Sequence, residues 1–67
     1  MKITVDRKKD IMRIAFEEGT YDISEELDNG IIVDLTKNKK IVAIEILDVS
    51  EKISLKNIQH VSVNVSS

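Results

Sequence analysis

Hydrophobic and polar positions alternate along most of this chain with the period of two that marks half-buried strands. Ile3 and Val5 alternate with Lys2, Thr4 and Asp6, and Met12, Ile14 and Phe16 alternate with Arg13 and Ala15. Tyr21, Ile23, Glu25 and Leu27 alternate less cleanly with Asp22, Ser24 and Glu26, which predicts a third strand exposed on one face. Ile31, Val33 and Leu35 form a fourth, and Ile41–Leu47 a fifth. Polar clusters separate them at Arg7-Lys8-Lys9, Glu17-Glu18-Gly19-Thr20, Asp28-Asn29-Gly30 and Lys37-Asn38-Lys39-Lys40. Asn-Gly between strands supplies the two positive-φ positions of a type I′ hairpin.

The fifth segment stands apart. Val42, Ile44 and Ile46 share one face, while Ile41, Ala43, Glu45 and Leu47 share the other. Near-apolarity on both faces is the mark of a buried central strand. An antiparallel meander covers only one face, so either the C-terminal segment or a second copy of the chain is expected on the other. In that segment Ser54 can N-cap a short helix through Leu55 and Ile58. Val61, Val63 and Val65 then alternate with His60, Ser62 and Asn64, predicting a final strand. The fold class expected is α+β, mostly β: a meander of about five strands, a short C-terminal helix and a last strand, in one domain over residues 1–67.

Composition sharpens this. Eleven Ile and seven Val favour pleated, half-buried surfaces. At 67 residues the core is thin, and net stability of roughly 3–5 kcal/mol is what such a scaffold supports. There is no cysteine to staple it and one histidine, too few for an ordinary zinc site. Self-association is the remaining common device, so a homo-oligomer, a dimer in its simplest form, is expected. The net charge of -2 argues against a nucleic-acid binder. The longest apolar run, Ile41–Ile44, is far short of the about 20 residues a membrane span needs. The opening MKITVDRKKD has no apolar run after its lysine, so no export signal and a cytoplasmic setting are expected.

Candidate chemistry is sparse. A nucleophile needs a neighbouring base, and the single histidine, His60, falls on the polar face of the last strand; no enzyme is expected and no cofactor. Carboxylates offer more. A hairpin centred between Asn38 and Lys39 sets Asp34 opposite Ala43 and Glu45 opposite Ile32, making Asp34 and Glu45 diagonal neighbours about 7 Å apart or less. With Asp48 they are the residues for a rival reading, a minimal metal or ligand binder. A third class, a nucleic-acid-associated protein, would depend on Lys37, Lys39 and Lys40. The turns alternate between the two ends of the sheet, so each end mixes charge signs and no basic stripe forms. Phe16 reads as core, which leaves no base-stacking platform.

The stretches KITVDRKKDIMRIAF, DNGIIVDLTKNKKIVAIEILDVSEKI and SLKNIQHVSVNV together resemble the family called domain of unknown function 2283. Gly30-Ile31-Ile32-Val33-Asp34 followed by Ile41–Asp48 is the most specific piece. This chain departs from the family in its two lysine-rich turns and in Met12, where an aromatic is common. The family has no established activity. Some members look like partners of small toxin-type proteins, so the resemblance implies a protein-interaction module, antitoxin-like in its sharpest form.

Overall fold

The computed structural model describes residues 1–17, 19–54 and 56. Five strands, β1 (Lys2–Asp6), β2 (Ile11–Ala15), β3 (Ile23–Leu27), β4 (Ile31–Leu35) and β5 (Ile41–Leu47), are followed by one helical turn, α1 (Val49–Lys52). All neighbouring strands pair antiparallel, so the mostly-β α+β class holds. Among the described residues no helix is long and apolar enough to cross a membrane.

The strand order is β1-β2-β5-β4-β3, not the sequential order of a meander. Only β3, β4 and β5 follow one another as a meander. The chain leaves β2 after Ala15 and re-enters the sheet at Ile23 in β3, on the far side of β5 and β4. This connection is too long for a tight hairpin, which uses two to five residues. β5 is left free to pair β2, and it becomes the central strand that its two-sided apolarity requires.

Each tight connection has a local cause. Asp6 Oδ1 accepts hydrogen bonds from the Lys8 and Lys9 amides, each at 3.0 Å, and folds the β1–β2 turn on itself. Asn29 and Gly30 sit at φ 70° and 73°, as the Asn-Gly pair predicts. The loop is residues 28–30, because Leu27 pairs with Ile31. A Cβ on Gly30 would meet Leu47 Cβ at 3.3 Å, so the glycine also lets β4 approach the end of β5. In the β4–β5 turn the Thr36 carbonyl and hydroxyl accept from the Lys39 and Lys40 amides. A bulge follows: Asp34 pairs with Ala43 but Leu35 with Ile41, leaving Val42 as the extra residue. The Val42 carbonyl accepts from Phe16 and Glu17, fastening the start of the long connection.

α1 is held from outside. Its first two amides find partners on Asp10: Val49 N–H donates to the Asp10 carbonyl at 3.0 Å and Ser50 N–H to the carboxylate. The Ser50 hydroxyl donates to the same carboxylate at 2.6 Å. Val49 is fully buried. The helix expected after Ser54 is therefore preceded by one that starts at Val49, within a four-residue stretch too short to show helical periodicity. The helix through Leu55 and Ile58, the final strand and His60 lie outside the described residues.

Opposed residues of an antiparallel sheet share a face, which sorts the side chains. Ile3, Val5, Met12, Ile14, Ile44, Ile46, Val33, Ile31 and Leu27 line one face. The core sits here around Met12, with Leu35 and the bulged Val42 also buried. The other face carries Thr4, Arg13, Glu45, Asp34 and Ser24 among Ala15, Ala43 and Ile32. Phe16, expected in the core, is 45% exposed, because it falls just beyond β2 where the chain turns away. Tyr21 likewise precedes β3 and is exposed.

Candidate functional site

The register predicted for β4 and β5 is the one observed: Ile32 opposes Glu45 and Asp34 opposes Ala43. Asp34 and Glu45 therefore lie on one face, and the sheet order adds a residue that a sequential meander would have kept away. β2 lies directly beside β5, with Arg13 opposite Glu45. Arg13 Nη1 donates to Asp34 Oδ2 at 2.9 Å and to Glu45 Oε1 at 3.4 Å.

To reach Asp34 the Arg13 side chain crosses β5 above Ala43, which is fully buried. A larger residue at 43 would stand in that path. Asp34 is the one buried charged residue among those described, 4% exposed, and its second oxygen accepts from Ser24 Oγ at 2.7 Å. A buried carboxylate is tolerated only when paired and hydrogen-bonded, and Arg13 and Ser24 supply both. No buried side-chain polar atom among the described residues lacks a partner. The hydrogen bond to Asp34 holds the Arg13 guanidinium above its ordinary pKa; partial burial opposes this, and the charges of Asp34 and Glu45 reinforce it.

Asp48 does not join this network. It follows β5, exposed and left-handed at φ 50°, and its side chain makes no cap bond to α1. Among the described residues no group of three or more His, Cys, Asp or Glu could hold a metal ion. The two acids that could have formed half a cation site hold an arginine between them. Beside Arg13 and Glu45 an open groove of about 290 Å³ runs along β1 between Thr4, Asp6 and Lys9. It mixes two cations with two anions and contains no buried polar group awaiting a ligand.

The turns fall as predicted. Residues 7–10 and 28–30 share one end of the sheet, residues 16, 17, 19–22 and 36–40 the other. Lys39 approaches Glu25 at 3.5 Å, both well exposed.

A five-stranded antiparallel sheet with an Arg–Asp–Ser network around a buried aspartate defines a small β-rich domain. The profile of the family described as protein of unknown function (DUF2283) matches residues 2–50, and the chain belongs to that family. The match runs from the first residue of β1 to Ser50, the residue that anchors α1 on Asp10; the ending SLKNIQHVSVNV lies beyond it. No curated protein and no solved structure matches the chain.

Proposed function

We propose that this protein is a small, non-catalytic protein-interaction module that acts as a homodimer, two copies closing their apolar sheet faces on each other. The observation that carries this reading is that face. All five strands contribute aliphatic side chains to it, most of them partly exposed, and Leu27 at its border is 51% exposed.

The non-catalytic part rests on the charged network, where Arg13 and Ser24 already occupy the one buried carboxylate among the described residues. The reading against nucleic acid rests on the mixed signs of both sheet ends. Cytoplasmic residence belongs to the same proposal, as the chain has no cysteine to use an oxidising compartment. A toxin-type partner rests on the resemblance alone.

A dimer couples folding to association, so its thermal midpoint depends on protein concentration. The midpoint is expected to rise by several degrees over a hundredfold increase in concentration. A midpoint constant over that range contradicts the dimer.

A further inference from the structure

We infer that the outer edge of β3 is an acceptor for an extended, basic segment of a partner protein, joined to the sheet as an added strand. The inference rests on the interaction-module reading but not on the dimer.

Among the described residues β3 ends the sheet on one side and β1 on the other. An end strand points alternate N–H and C=O groups away from its neighbour, which is a template for strand addition. The two ends differ. β1 alternates half-buried and exposed positions and bears both signs, whereas Ser24–Leu27 of β3 are exposed without interruption. Around them Asp22, Glu25, Glu26 and Asp28 are exposed and all acidic. The Asp22 carboxylate is engaged by the Lys37 amide, and Glu25 meets Lys39 only loosely at the surface. Glu26 and Asp28 take part in no ion pair among the described residues.

This charge has two consequences. It repels the same edge of a second copy, which denies β3 to edge-to-edge self-pairing. It also selects a partner of opposite sign. The register specifies the partner further. Ile23, Glu25 and Leu27 project to the apolar face, Ser24 and Glu26 to the polar face. An antiparallel segment opposing Leu27 to Ile23 is therefore best served by an apolar residue, two basic residues, a hydroxyl residue and a second apolar residue, in that order.

The test uses the full chain and a fluorescein-labelled peptide whose central residues are Ile, Lys, Lys, Thr and Val, read by anisotropy at low salt. Saturable binding is expected, weakening as ionic strength rises. Glu26→Lys, which points to the polar side away from the dimer face, is expected to lower affinity about tenfold. A peptide with proline in place of the Thr, which opposes the outward-pointing backbone of Ser24 and so loses an amide donor aimed at β3 without losing charge, is expected to bind at least tenfold more weakly. Equal binding of the proline peptide means charge attraction without strand addition and overturns the inference, as does no binding of the parent peptide. The solution mass, read on the same samples, separates the two claims. A dimer that ignores the peptide overturns this inference alone, and a monomer that binds it overturns the dimer alone.

Discussion

Arg13 is the residue on which the polar face turns. It neutralises Asp34, bridges two strands that are not neighbours, and touches Glu45 on the way. Removing it leaves Asp34 buried with only Ser24, at a cost of about 2 kcal/mol. That is a large share of what a chain this size can spare. Urea unfolding of Arg13→Ala, Asp34→Ala and the double variant is expected to give a coupling energy of at least about 1 kcal/mol; additive losses would mean that the bridge contributes nothing. The pH dependence follows from the direction of the shift. A raised guanidinium pKa gives stability that is fully present below its ordinary value and lost only above it. The Arg13 guanidinium therefore adds no pH dependence of its own below its ordinary value. Because a cation already sits between the acids, millimolar Mg²⁺ or Ca²⁺ is expected to leave the thermal midpoint unchanged. A rise that vanishes in Asp34→Asn would restore the metal-binding reading.

At the scale of elements, what was legible in the sequence was local. Alternation located all five strands to within two residues, and the Asn-Gly pair gave the positive-φ turn. Symmetry about Asn38 and Lys39 gave the register that brings Asp34 beside Glu45. The order of strands was not local, because it depends on which pairing β5 offers once β4 is beside it. One signal pointed to it, the two-sided apolarity of Ile41–Leu47; the polar cluster Glu17–Thr20 was short enough to read as a hairpin turn. Arg13 was hidden as a partner for the same reason, since only the observed order sets β2 against β5. The helix α1 was hidden because its anchor, Asp10, lies 40 residues away. That anchor makes a separate prediction. Asp10 combines a positive φ of 57° with a carboxylate that caps Ser50. Asp10→Asn keeps the backbone preference and an acceptor and is expected to be close to neutral. Asp10→Ala loses both and is expected to lower stability by about 1–2 kcal/mol in chemical denaturation. Equal stability of the two variants would mean that α1 does not depend on this tether.

At the scale of the molecule, the sheet gives its two faces different tasks. The polar face is organised by ion pairing, and among the described residues its groove has no buried polar group without a partner. The apolar face carries aliphatic side chains from every strand, most of them partly exposed. The edges divide in the same way, one of mixed charge and one acidic and exposed. Association through the apolar face is the central claim, and sedimentation equilibrium of the pure chain tests it most directly. The account predicts twice the chain mass at micromolar concentration. It also predicts that Leu27→Lys, at an exposed position where folding tolerates the change, shifts the equilibrium toward the single chain. A well-folded species of single-chain mass, unchanged up to the highest soluble concentration, would contradict it.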